Sequence, residues 1–240
     1  MALERMDSSG SEDQLELKLH QMRYDFALSR LPPNSQVLEI GTGEGAFAKQ
    51  ILPLSRSYIG VEYDPGACEK ARRHVGGDVE IIAGDARKLP FGDNQFSFVV
   101  CLEVLEHLGD YQAGVKNIHR CVNHSGAAII SVPYRRIGGK SLVNPYHIYE
   151  PGEAELVSMF RRLFATVEVY YLYFEETPIM TFARKVHLRR ALGLHRCYAD
   201  LTAGLPSATA RLHIRRKSGG MNISLIIVAH DKKGESPAAG

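Results

Sequence analysis

The chain has 240 residues, 45% of them hydrophobic and 23% charged, with 29 Lys and Arg against 27 Asp and Glu. This length and composition exclude a wholly disordered chain and suit one large domain, which buries roughly 70–75% of its unfolded surface without disulfide staples. Net charge is only +2, yet residues 181–217 hold nine basic residues against the single acid Asp200, a local excess of +8. Cys68, Cys101, Cys121 and Cys197 are widely spaced with no Cys-x-x-Cys pair, which argues against a disulfide framework or a thiolate zinc site. No run approaches the roughly 18 apolar residues of a membrane span. The polar, acidic start MALERMDSSGSEDQ lacks a signal peptide's apolar core. A soluble, cytoplasmic protein is the expectation.

Residues 1–13 and 231–240 read as loose ends around a single domain over 14–230. Leu15, Leu19, Met22 and Phe26 recur at helical spacing and predict an amphipathic helix that stops before Pro32-Pro33. Short apolar runs predict strands at 36–40, 58–62, 79–83, 96–102, 127–132, 166–173 and 223–230. Helical patterns fall at 45–54, 65–75, 111–121 and 153–164, with Pro65 suited to a first helical turn. Strand–helix alternation at this spacing implies a parallel sheet covered on both faces. In such sheets ligands bind beyond the carboxyl ends of the strands, near the point where strand order reverses.

The first strand runs into Glu39-Ile40-Gly41-Thr42-Gly43-Glu44-Gly45-Ala46. Glycines there permit a tight turn and close approach of a ligand to the backbone. Gly41-x-Gly43-x-x-Ala46 also satisfies the dinucleotide fingerprint, so the turn alone does not choose a ligand. The second strand ends in Gly60-Val61-Glu62, whose carboxylate can accept both hydroxyls of a ribose and disfavours a 2′-phosphate. The third ends in Ala83-Gly84-Asp85-Ala86, where an acid can accept from an adenine amino group or simply cap a turn.

Taken in order, Glu39-x-Gly41-x-Gly43-x-Gly45, Gly60-Val61-Glu62, Gly84-Asp85-Ala86 and Phe96-Ser97-Phe98-Val99-Val100-Cys101 resemble the motifs of class I S-adenosylmethionine-dependent methyltransferases, over about residues 31–173. The resemblance implies an α/β, doubly wound, Rossmann-like sheet of seven strands, mostly parallel with an antiparallel last strand, a role that 223–230 suits. It implies S-adenosylmethionine as cofactor. Gly41, Thr42 and Gly43 would hold its methionine end with support from Glu39. Glu62 and Tyr63 would lie at the ribose, Asp85 and Ala86 at the adenine, and Leu102 and Glu103 would close over it. A nicotinamide dehydrogenase is disfavoured, since such enzymes typically lack the acid two positions before the first glycine and no Ser-Tyr-Lys constellation follows the turn.

Chemistry toward the acceptor is sought in Glu103-Val104-Leu105-Glu106-His107-Leu108, after the fourth strand. On a helical turn Glu103, Glu106 and His107 share one face. Three readings remain open. Glu106 and His107 brace the helix; or His107 is a general base near an oxygen acceptor; or Glu103, Glu106 and His107 join His147 in holding a divalent metal. The stretch is similar to that of ubiquinone-biosynthesis O-methyltransferases and, with the distant His, to small-RNA 3′-end 2′-O-methyltransferases. His107 and Glu106 are the catalytic candidates, and no residue is assigned to a metal. The long loop after the fifth strand would present Tyr134, Arg135, Arg136, Tyr146 and His147 to an acceptor. Asn-Pro-Pro-Tyr, a signature of many amino-group methylating members, is absent after the fourth strand.

A basic insertion at about 178–220 separates the last two predicted strands, with Gly193 and Pro206 dividing it into short helices. Its simplest reading is a solvated basic face. Its charge would also attract an anionic acceptor, RNA phosphates or an anionic membrane surface. Only Phe182 and Tyr198 interleave the charges, which weakens base stacking. The expected function is O-methylation of a small or lipid-linked anionic molecule. The alternatives are an RNA ribose 2′-O-methyltransferase using a divalent metal, and a non-catalytic cofactor-binding subunit.

Overall fold

The apolar runs that lead into the loop motifs form five parallel strands, β1 (Ser35–Ile40), β2 (Ser55–Glu62), β3 (Glu80–Ala83), β4 (Phe96–Leu102) and β5 (Val122–Pro133). They belong to a computed structural model that describes residues 11–76, 79–141, 144–175, 212–216 and 220–233. β1 sits between β2 and β4, with Ile40 level with Val61 on one side and with Cys101 on the other. Strand order reverses there. The loops leaving β1 and β4 therefore emerge side by side at the carboxyl end of the sheet.

Beyond β5 the sheet continues through β8 (Gly220–Lys232), β6 (Phe164–Glu175) and β7 (Leu212–Arg215), giving the order β3-β2-β1-β4-β5-β8-β6-β7. β8 is antiparallel to both β5 and β6, as expected for the last strand. The sheet has eight strands where seven were expected, because β7 adds antiparallel to the far end of β6, from Tyr171↔Arg215 to Phe174↔Leu212. A twelve-residue β6 would otherwise leave a long bare edge, and a short strand ending in Arg215 and Arg216 covers part of it and blunts further pairing. β7 comes from the stretch read as a basic insertion. The rest of that stretch, with its expected short helices, lies outside the described residues apart from Arg216 and Gly220. Helix α1 (Ser11–Leu28) and strand β8 each run two to three residues into what was read as loose ends.

Strand alternation sends Phe98, Val100 and Leu102 of β4 toward the face covered by α1, α2 (Ala48–Ile51) and α3 (Pro65–Val75). Val99 and Cys101 face the opposite layer, with α4 (Tyr111–Cys121) and α5 (Glu153–Leu163). Asp64 and Asp110 cap α3 and α4 by accepting from the amides of Ala67 and Ala113. The helix expected over 45–54 is shorter, a single α2 turn followed by a 3₁₀ turn at Leu52–Leu54. Positive φ angles at Gly41, Gly43 and Gly45 keep the chain in turns, and Pro53 removes an amide donor. No helix among the described residues is long and apolar enough to cross a membrane.

Phe160 of α5 is fully buried and stacks near Phe164. Phe160→Ala is expected to cost about 3–5 kcal/mol, read as a lower urea midpoint at unchanged slope.

Candidate functional site

The glycine loop after β1 is positioned by an acid behind it. Glu39 is buried and accepts hydrogen bonds from the hydroxyls of Tyr24 on α1 and Tyr58 on β2, and from Thr42 Oγ1 at 3.2 Å. Burial raises its proton affinity, and the three hydroxyls oppose that rise by favouring the carboxylate. Gly41 must be glycine, since a Cβ there would lie 2.3 Å from Val104 Cγ2, in the loop after β4. Gly43, at φ 56°, has open space where a Cβ would project. The loop thus presents bare backbone at the point where strand order reverses.

Glu62, at the end of β2, is held by amides. Its Oε2 accepts from Gly43 N at 2.9 Å, and its Oε1 accepts from Tyr63 N at 2.8 Å and Asp64 N at 3.0 Å. A carboxylate offers about four lone-pair positions, so one remains beyond these three amides. Tyr63 beside it is 55% exposed. Ala86 is buried, whereas Asp85 binds Arg87, with Arg87 Nη2 donating to Oδ2 at 2.6 Å. That charged bond, set against partial desolvation, holds the Asp85 carboxyl below its usual range. Arg87 is a competitor for this acid that the motif pattern did not reveal.

The turn after β4 departs from the expected helix. Glu103 takes a left-handed conformation, φ 55°, and a one-turn 3₁₀ helix begins only at Leu105. Glu103 therefore does not share a helical face with Glu106 and His107. It accepts from Ser131 Oγ at 2.7 Å and pairs with Arg23 Nε at 3.3 Å. Arg23 is buried on α1 and also donates from Nη2 to Ser224 Oγ at 2.8 Å. Arg23, Tyr24, Tyr58, Ser131 and Ser224 were all missed. The signal for Arg23 lay in its spacing, four residues from both Leu19 and Ala27 on the buried stripe of α1.

Glu106 and His107 do meet His147. One potential ligand atom from each of the three lies within 4.8 Å of the others. The backbone carbonyl of Glu106 accepts from Ile148 N at 2.9 Å and Tyr149 N at 3.2 Å, which straps the loop after β5 onto the 3₁₀ turn. His107 Nδ1 lies 3.2 Å from the Tyr146 carbonyl, and His147 Nδ1 lies 2.7 Å from Glu150 Oε1. Both carboxylate oxygens of Glu106 are sealed from solvent without a side-chain hydrogen-bond partner. Burial first, and then the Glu103 charge, pushes its proton affinity well up. Of the other loop residues, Arg135 pairs with Glu150, Tyr134 packs near Tyr171, and Arg136 and Tyr146 are exposed.

Tyr58→Phe removes one donor from Glu39 and is expected to destabilise the fold by about 1–3 kcal/mol near neutral pH. Because the folded state already raises the Glu39 proton affinity, losing this donor raises it further. The deficit appears as pH climbs through and above the usual carboxylate range and shrinks where Glu39 is protonated. Urea unfolding of both proteins at acidic and neutral pH measures the gap; an equal gap at both would contradict this account of Glu39.

A methyltransferase domain family matches residues 38–130, which span β1 to the middle of β5. A Mycobacterium tuberculosis protein named "Probable S-adenosylmethionine-dependent methyltransferase" is 33% identical over 143 residues, covering 57% of this chain and 52% of its own. The chain thus spans about half the length of that curated relative. The Coxiella burnetii ubiquinone/menaquinone biosynthesis C-methyltransferase UbiE is 25% identical over 206 residues, covering 80% of this chain and 81% of its own. Among solved structures, the Bacillus subtilis YcgJ protein aligns with a TM-score of 0.62 at 18% identity, covering 90% of this chain and all of its own. The N-methyltransferase NodS of Bradyrhizobium japonicum, bound to S-adenosylhomocysteine, aligns at 0.58 and 14% identity, over 90% of this chain and 87% of its own. The ordered loops and the match of residues 38–130 to a methyltransferase domain make the chain similar to class I S-adenosylmethionine-dependent methyltransferases, and the sheet topology agrees with their fold.

Proposed function

We propose that the chain transfers a methyl group from S-adenosylmethionine to an oxygen of a small or lipid-linked hydroxylated acceptor, with His107 receiving the proton. The carrying observation is the side-by-side placement of the bare Gly41–Gly43 backbone and the Glu106–His107–His147 cluster at the carboxyl end of the sheet. The residues fit the cofactor. Open space at Gly43 admits its amino-acid end, Glu62 offers a further acceptor position to ribose hydroxyls, and the exposed Tyr63 ring flanks that position. Asp85 and Ala86 are the candidates at the adenine, with Arg87 yielding one Asp85 oxygen. Glu39 and Thr42 stiffen the loop from behind, and Leu102 and Glu103 form its far wall, Glu103 being neutralised by Arg23.

The bound cofactor supplies an already activated methyl group, so the chain's own contribution is alignment, exclusion of water and proton handling. His107 is half-buried, whereas Glu106 is fully buried, so His107 is the member of the pair that can meet an acceptor hydroxyl. The Tyr146 carbonyl can only accept, so His107 Nδ1 carries hydrogen and Nε2 is the basic nitrogen. Glu106 lies behind as a positioning residue, its backbone carbonyl strapping the loop that carries His147.

A second reading is favoured by the similarity to UbiE, whose name records methylation at carbon in quinone biosynthesis. Deprotonating a phenol activates the ring carbons beside it as well as the oxygen, so the same base serves either product. Mass and NMR analysis of the product from a hydroxylated aromatic acceptor separates them. The ribose alternative drew on four metal ligands, of which only three converge here.

Glu62→Ala is expected to weaken S-adenosylhomocysteine binding by about 1–3 kcal/mol, read by calorimetry; unchanged affinity would remove the ribose assignment. His107→Ala is expected to lower kcat by about 10²–10⁴-fold while cofactor affinity is retained. Turnover that survives the substitution would return His107 to a bracing role, and cofactor binding without product from any hydroxylated acceptor would point to a non-catalytic subunit.

A further inference from the structure

We propose that Arg87 competes with the cofactor's adenine for Asp85, so that its guanidinium sets both the affinity and the salt dependence of adenosyl-cofactor binding. This rests on the reading above that puts Asp85 at the adenine amino group, and it adds a residue that lies outside the ordered motifs.

The acceptor positions of Asp85 are already taken. A carboxylate offers about four of them. Asp85 Oδ1 accepts from Arg87 N at 2.8 Å and from Arg87 Nε at 3.0 Å, while Oδ2 accepts from Nε at 3.1 Å and from Nη2 at 2.6 Å. Every one of these contacts comes from a single residue. An adenine amino group is a donor as well, so it gains a bond to Asp85 only where the guanidinium gives one up. The exchange is weighted against the base, because the guanidinium donates as a cation along two prongs and the amino group is neutral. The Arg87 bonds, set against partial desolvation, hold the Asp85 carboxyl below its usual range, so the acid stays ionised at neutral pH and the pair persists.

The surroundings let the side chain leave while the backbone stays. The Arg87 carbonyl accepts from Asn117 Nδ2 on α4 at 2.7 Å, and Lys88 N donates to the Asp85 carbonyl at 2.8 Å, which fixes the turn. The Arg87 side chain itself is 41% exposed. Its proton affinity is raised first by Asp85 and, more weakly, by the charge of Asp110 at the start of α4, so an acid remains near the guanidinium once Asp85 has passed to the base. Glu62 offers the contrast. Its three bonds come from backbone amides, so a ribose takes the lone pair they leave and displaces no partner.

The test titrates the full chain and its variants with S-adenosylhomocysteine by calorimetry. Arg87→Met keeps an apolar stem and removes the donors, and it is expected to tighten binding about 3–5-fold, the upper range for an exposed ion pair. Raising potassium chloride from about 0.05 M to about 0.5 M is expected to narrow that gap, because salt screens the pair that only the wild-type chain must break. Asp85→Ala is expected to weaken binding, and in that background Arg87→Met is expected to change nothing. A merely structural role for Arg87 has the opposite sign, since loosening the turn would weaken binding. Circular dichroism checks folding; should Arg87→Met fail, Arg87→Ala replaces it. Affinity that Arg87→Met leaves unchanged or weakens, while Asp85→Ala still weakens it, overturns the competition and leaves Asp85 at the adenine. A gain that persists undiminished in the Asp85→Ala background overturns it too. Affinity that Asp85→Ala does not alter removes Asp85 from the adenine, and the competition with it.

Discussion

A single buried carboxylate ties together the segments that build the ligand-facing end of the sheet. Glu39 stands at the end of β1, and its partners come from α1, from β2 and from the glycine loop itself. An unpartnered carboxylate in that position would be costly, because burial alone drives it toward the neutral acid. Tyr24, Tyr58 and Thr42 supply hydroxyls in place of water, and Thr42 Oγ1 and Tyr58 also lie 2.8 Å apart. The geometry of the loop is therefore set from behind. Its front is left as bare backbone.

The neighbouring loop after β4 depends on that arrangement. Val104 fills the space that any side chain at Gly41 would need, so the two loops interlock where strand order reverses. Arg23 continues the same theme from α1, neutralising Glu103 and binding Ser224 of β8 while both sit in the interior. Buried pairs of this kind contribute little net stability but are costly to break. Their effect here is to hold α1 across the carboxyl ends of β1 and β4 and the amino end of the antiparallel β8.

The segment after β5 is built differently, as a loop folded back on itself. The bridge between Gly139 and Glu150, the Arg135–Glu150 pair and the amides donated to the Glu106 carbonyl return His147 to within ring contact of His107. The outer surface of this loop exposes Ile137, Tyr146 and Ile148 beside the basic Arg136 and Lys140. The rim thus sets apolar side chains beside cationic ones.

The amino-acid sequence by itself determined the strand–helix alternation and the loops that follow β1, β2 and β3, because each is written in local pattern: apolar runs, glycines and an acid at a strand end. α4 matches its predicted limits of 111–121, and its start is marked by Asp110 as a cap. What the sequence did not disclose depends on contacts between distant segments. Glu103 looked like a member of a helical face, yet a left-handed backbone and a partner on α1 turn it away. Arg23 was not singled out in the sequence, and it is buried against residues 80 and 201 positions away. β7 had no local signature strong enough to stand out within a basic stretch, and it exists because β6 offers an open edge. His147 lies 40 positions from His107, and only the folded loop brings the two rings together. Periodicity and turn chemistry act over a few residues, whereas the pairing of buried charges and strand edges is decided by which distant partners remain once the core has formed.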